Sequence, residues 1–248
     1  MPANNPAVIK AVLFDLDDTL WPIVPVIRRA EDEMFAWLER HAPAVTREFT
    51  IDSLRARRMA LMKTDPVYQL DLKALRHAGL TEAFRHVGED LAKVDAALEV
   101  FSTARNRVEP FADVLPVLAS LRRRVLVGSV SNGVADLGAI GLAHFFSTSI
   151  AACHFGSAKP DPAIFHAACE SLGVLPSEAV YVGDDPLLDV KGAKQAGLHA
   201  LWLNRPELGP ARELPPEVQP DAICTTLFDL ENWLSGRMIV LPPQPAGR

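Results

Sequence analysis

Residues Val8–Phe14 form a nearly continuous apolar run that contains β-branched side chains. Such a run has no polar face to offer water, so it fits a strand buried on both sides, as in a parallel sheet. Similar runs occur at Val125–Val130, Ala179–Val182 and His199–Leu203. Amphipathic segments separate them. In Pro162–Leu172 the residues Ile164, Phe165, Ala168 and Leu172 recur at helical spacing, and Gly173 can end that helix; Leu187–Ala196 is followed by Gly197 in the same way. Strands alternating with helices predict an α/β chain with a doubly wound, mostly parallel, Rossmann-like sheet and right-handed crossovers.

The stretch from Trp21 to about Arg107 has a different period. Ile27, Ala30, Met34, Trp37, Leu38 and His41 lie on one helical stripe. Leu54, Leu61 and Met62, then Leu72, Leu75 and Ala78, then Leu91, Val94, Leu98 and Phe101 suggest three more helices. The expected organisation is therefore a core made of residues 1–20 and 108–248, with a helical domain of residues 21–107 inserted after the first strand. The proline-rich stretch Arg205–Pro220 reads as a surface loop.

Composition narrows the partners. With 49% hydrophobic and 23% charged residues the chain can build a large core, and its net charge of −6 argues against a nucleic-acid surface. The clusters Arg55/Arg57/Arg58 and Arg122/Arg123/Arg124 read as solvated helix ends. Three cysteines, Cys153, Cys169 and Cys224, with no Cys-x-x-Cys pair, fit neither a disulfide framework nor a zinc site and suit a reducing cytoplasm. Met1–Ala7 shows no secretory pattern, no apolar stretch reaches membrane-spanning length, and Pro242–Arg248 is expected to be disordered. A monomer or a homodimer is expected.

Each of four segments ends an apolar run with groups suited to phosphoryl chemistry: Asp15-Leu16-Asp17-Asp18-Thr19, Ser131-Asn132-Gly133, Ala158-Lys159-Pro160, and Gly183-Asp184-Asp185 with Asp189. In an open parallel sheet, ligands bind outside the carboxyl ends of the strands, so these segments can share one site. Of Asp15 and Asp17, one carboxylate can attack phosphorus while the other moves a proton. Asp184, Asp185 and Asp189 add negative charge that needs a counter-ion, and an all-oxygen ligand set points to Mg²⁺. Asp184 is the expected direct ligand. Asp189 lies a helical turn onward and either orients water or pairs with Lys159, while Asp185 binds metal or caps the next helix. Ser131 and the neighbouring backbone N–H groups can hold phosphate oxygens, and Lys159 supplies fixed positive charge. Ser129, one step deeper, reads as a buried strand residue.

Taken together, the four segments resemble the haloacid dehalogenase-like hydrolase superfamily, in its branch with a helical cap. The resemblance implies that Asp15 is the nucleophile, Asp17 the general acid/base, and Ser131, Asn132 and Lys159 the phosphate-holding residues. It further implies that Asp184, Asp15 and the Asp17 backbone carbonyl bind Mg²⁺, and that the inserted helices select substrate. Dehalogenases of this superfamily need no acid/base carboxylate two residues after the nucleophile, so Asp17 favours phosphate ester hydrolysis. Asp15–Leu20, Pro25-Val26-Ile27, His41-Ala42-Pro43-Ala44 and Val182–Asp185 with Asp189-Val190 also resemble bacterial phosphatases acting on flavin mononucleotide and on 5-amino-6-(5-phospho-D-ribitylamino)uracil. Trp21 could stack on a flat substrate ring or simply pack. The expected function is hydrolysis of a small phosphate ester, against three alternatives: a 2-haloacid dehalogenase, a phosphomutase, or a non-catalytic binding module.

Overall fold

The computed structural model describes residues 8–238; the expectations for Met1–Ala7 and Pro242–Arg248 lie outside the described residues. It contains a parallel sheet of six strands: β1 (Ala11–Phe14), β2 (Leu126–Ser131), β3 (Thr148–Ala151), β4 (Ala179–Gly183), β5 (His199–Leu203) and β6 (Ala222–Cys224). Their order is β3-β2-β1-β4-β5-β6. The chain reverses its direction of winding at β1, which places β1 between β2 and β4. Phe14 stands opposite Ser129 of β2 and Val182 of β4, so those three strands end at nearly the same level.

The four apolar runs become β1, β2, β4 and β5. Strands β1 and β4 are buried at every position, which is why no alternation shows in their sequence. Strands β3 and β6 carry no such mark in the sequence because they are short edge strands with partly exposed residues and no apolar run. On one face of the sheet, Leu13, Tyr181 and Trp202 pack with Ile164, Phe165 and Ala168 of the Pro162–Leu172 helix. Phe165 meets Tyr181 edge-on at 5.0 Å between ring centres. That helix ends at Gly173 in the left-handed conformation, φ +66°.

The segment Leu187–Ala196 departs from a regular helix. Pro186–Lys191 forms a wider π-helical turn, followed by a short α-helix at Gly192–Gln195. Asp185 starts the turn, accepting from the N–H groups of Leu187 and Leu188 at 2.8 Å each. The Asp189 side chain turns back to accept from the Asp185 N–H at 2.9 Å.

The chain divides into two compact units. Among the described residues the sheet unit comprises residues 8–22, Glu109–Gly133 and residues 141–238; the helical unit comprises Ile23–Val108 and Val134–Ile140. In the helical unit, Ile23–His41 buries Ala30, Met34 and Leu38 in one cluster with Ala97, Phe101 and Ala104 of the Val94–Arg105 helix. Thr50 and Asp71 cap the helices Ile51–Leu61 and Leu72–Val87, and Gly88 at φ +69° ends the latter. The Glu31 carboxylate, 2% exposed, accepts from Arg55 at 2.5 Å and Arg58 at 2.6 Å. Part of the Arg55/Arg57/Arg58 cluster is thus an internal ion pair of this unit rather than a solvated helix end.

Among the described residues, no helix is long and apolar enough to cross a membrane. The reading of Arg205–Pro220 as a surface loop needs one correction. Arg205 is buried, donating to Asp113 through both Nη atoms at 3.1 Å and to the Thr19 carbonyl at 2.9 Å. A paired guanidinium is the form in which an arginine tolerates the interior.

Candidate active site

The chain leaves β1 at Phe14, and Asp15 follows with its N–H bonded to the Val182 carbonyl at 2.9 Å. The backbone then turns sharply. Asp18 adopts the left-handed conformation at φ 59°, a state that aspartate tolerates better than most side chains. Its N–H donates to the Trp21 carbonyl at 2.8 Å, closing the turn.

Lys159 ties the end of β1 to β4 and the turn that follows it. Its Nζ donates to Asp15 Oδ1 at 2.6 Å, to Asp189 Oδ1 at 2.6 Å and to the Tyr181 hydroxyl at 2.9 Å. Tyr181 spends its own proton on the Val130 carbonyl at 2.7 Å, so its oxygen is the acceptor for Lys159. An ammonium has three N–H groups, and all three are engaged. Sequence reasoning missed Tyr181, whose position within an apolar strand run gives no sign of a polar task.

Asn132 faces the same loop. Its amide donates to the Lys159 carbonyl at 3.0 Å and accepts from the Lys159 N–H at 2.8 Å. The Asn132 side chain thus positions the Lys159 backbone. Ser131 is buried at the end of β2 and accepts from the Gly133 N–H at 2.9 Å. Ser129 is fully buried and donates to Ser149 at 2.8 Å, as its place in the strand implies.

Carboxylate oxygens of Asp15, Asp184 and Asp189 lie within 4.8 Å of one another. Burial, followed by the Asp189 charge, pushes Asp184 up to about 7, with Arg212 opposing at 3.2 Å. Burial also raises Asp15 well above the usual carboxylate range, against the pull of Lys159. Burial alone would lower Lys159, but Asp15 and Asp189 outweigh it and hold the ammonium above its ordinary value. Three close carboxylates exceed what one lysine can balance, and their hard oxygen donors fit a Mg²⁺ ion. Asp185 stands outside this cluster and caps the next turn. The Asp184 backbone is fixed from outside: its carbonyl accepts from Trp202 Nε1 at 2.8 Å and from Arg212 at 2.8 Å.

Asp17 lies beside the β2 end. A Cβ added at Gly133 would stand 2.6 Å from Asp17 Oδ2 and 3.2 Å from Ser131 Oγ. Its Oδ1 accepts from Trp21 Nε1 at 2.9 Å. Trp21 is wholly buried: it packs, and has no open face on which a substrate ring could stack.

A doubly wound sheet with acidic groups gathered at the carboxyl ends of its central strands defines a recognisable class. Residues 9–197 match the haloacid dehalogenase-like hydrolases, and the chain belongs to that family. It is 32% identical to the 5-amino-6-(5-phospho-D-ribitylamino)uracil phosphatase YigB of Escherichia coli, over 81% of this chain and 85% of that protein. It is 33% identical to the phosphoserine phosphatase of Thermus thermophilus, over 86% of this chain and 94% of that protein. Among solved structures, a 2-haloacid dehalogenase from Pseudomonas syringae is 37% identical with a TM-score of 0.83, over 92% of this chain and 99% of that one.

Proposed function

We propose that this hydrolase is a Mg²⁺-dependent phosphatase of small phosphorylated metabolites, working through an aspartyl-phosphate on Asp15. The observation that carries the reading is the carboxylate of Asp17, tied by Trp21 beside the Ser131–Gly133 loop, two residues beyond Asp15. Carbon–halogen cleavage has no use for an acid at that position. Phosphate ester hydrolysis needs one to protonate an alkoxide.

Lys159 holds Asp15 Oδ1, which leaves Oδ2 to attack phosphorus in line with the leaving oxygen. As that P–O bond breaks, Asp17 gives its proton to the leaving group. Asp17 then takes a proton from water as the water oxygen attacks the aspartyl-phosphate, releasing inorganic phosphate and restoring Asp15. Ser131 and the backbone beside it hold the phosphoryl oxygens. Asp15, Asp184 and the Asp17 carbonyl would hold Mg²⁺, whose charge offsets the repulsion between an anionic ester and ionised Asp15. Asp189 braces Lys159 and the Asp185 backbone around them.

The substrate we favour is 5-amino-6-(5-phospho-D-ribitylamino)uracil or flavin mononucleotide. Support comes from the motif resemblance and from the relative in Escherichia coli named for the first of these. Choice among esters is assigned to the inserted helical unit. A screen of phosphorylated metabolites, with phosphoserine and sugar phosphates included, is expected to release phosphate most efficiently from a riboflavin-pathway ester and to stop on chelation by EDTA. A preference for phosphoserine would move the substrate assignment and keep the chemistry. Halide release from 2-haloacids without phosphate release would replace the reaction with that named for the Pseudomonas syringae structure.

A further inference from the structure

Trp21 is fully buried, and a buried indole N–H needs a partner. Here the acceptor is a carboxylate, Oδ1 of Asp17, at 2.9 Å. The turn that makes this contact is held at both levels, since the Asp18 N–H also donates to the Trp21 carbonyl at 2.8 Å. The two oxygens of Asp17 therefore have different surroundings. Oδ1 faces the indole, whereas Oδ2 faces the β2 end, where a Cβ on Gly133 would come within 2.6 Å of it.

We propose that Trp21 is a positioning residue for proton transfer. Its N–H anchors Oδ1 and so presents Oδ2 as the oxygen that carries the proton. This rests on the phosphatase reading above. In the first half-reaction the proton moves from Asp17 Oδ2 to the leaving alkoxide as the ester P–O bond breaks and the Asp15–phosphorus bond forms. The carboxylate left behind keeps the indole hydrogen bond. In the second half-reaction a water proton returns to Oδ2 as the water oxygen bonds phosphorus and the Asp15–phosphorus bond breaks. The indole carries no proton in either step; it sets which oxygen does.

The test compares an alkyl phosphate, whose leaving group needs the proton, with p-nitrophenyl phosphate, whose leaving group does not. Trp21→Phe keeps a buried aromatic ring and removes the N–H. It is expected to lower kcat/KM, which reads the first half-reaction alone, about tenfold on the alkyl ester and less than about twofold on the aryl ester. Asp17→Asn should show the same pattern with a larger loss. In the Asp17→Asn background, Trp21→Phe should cost less than about twofold on either ester. Equal losses on both esters, or an undiminished loss in that background, would overturn the proposal. Should Trp21→Phe fail to fold by circular dichroism, a tryptophan analogue with sulfur in place of the indole N–H, incorporated at position 21, makes the same comparison with the shape preserved. Absence of leaving-group dependence in Asp17→Asn, or of phosphate release by the unaltered protein, would instead overturn the phosphatase reading.

Discussion

The Lys159 ammonium donates to the Asp15 carboxylate at 2.6 Å across 144 residues of sequence. The same nitrogen reaches Asp189 at the same distance, so one buried cation neutralises two carboxylates from different strand ends. Lys159→Met would leave both without a counter-charge. Removing one partner of a buried pair costs about 3–5 kcal/mol, and urea unfolding at neutral pH should show a loss of that order together with loss of turnover. Tyr181→Phe removes one acceptor from Lys159 and the donor to the Val130 carbonyl, and should cost about 1–3 kcal/mol.

In the same direction as Asp15, Asp184 contributes to the pH dependence of stability. Its folded-state value of about 7 lies above the ordinary 3.8, so its protonated form is favoured by folding. For a group raised in this way, the contribution to stability is present in acid and is lost as pH rises through about 7. The metal-free protein should therefore gain stability from Asp184 as pH falls from about 7 toward 4, and Asp184→Asn should flatten that slope in urea melts. Mg²⁺ affinity should run the opposite way, strengthening as pH rises through about 7, because the ligand must give up its proton. Isothermal calorimetry across that range measures it, and Asp184→Asn should lose most of the binding.

Gly133 leaves room for Asp17. A methyl group there would come within 2.6 Å of Asp17 Oδ2, closer than side-chain carbons approach oxygens. Gly133→Ala should displace Asp17 and lower kcat about tenfold or more, with a thermal midpoint close to that of the unaltered protein.

Arg205 holds the backbone of the turn after β1 at Thr19. It pairs with Asp113 through two bonds and holds the Thr19 carbonyl. A lysine has no fork with which to make all three contacts. Arg205→Lys should destabilise the protein by about 2–4 kcal/mol, read from the denaturation midpoint.

Much of this arrangement is legible in the chain because parallel strands bury both faces. The runs at β1, β2, β4 and β5 therefore appear as unbroken apolar stretches, and the polar residues that end β1, β2 and β4 mark the candidate site. Strands β3 and β6 lack that mark, since an edge strand with exposed positions reads like a loop. The contacts that orient the site were harder to see. Tyr181 sits in an apolar run, Arg205 in a proline-rich stretch, and Trp21 reads as a hydrophobe. Each has its polar atom paired with a group distant in sequence or around a turn, and no local spacing encodes that. Asn132 adds another: its place beside Ser131 does not announce the two hydrogen bonds its side chain makes with the Lys159 backbone.

The most direct test of the account is to find where the phosphoryl group goes. The protein would be mixed with substrate and Mg²⁺, quenched in acid within a turnover, digested, and its peptides weighed. The account predicts the mass of one phosphoryl group on the peptide carrying Asp15, absent in Asp15→Asn along with turnover. Phosphate release at an undiminished rate by Asp15→Asn, or a phosphoryl group on any other residue, would contradict it.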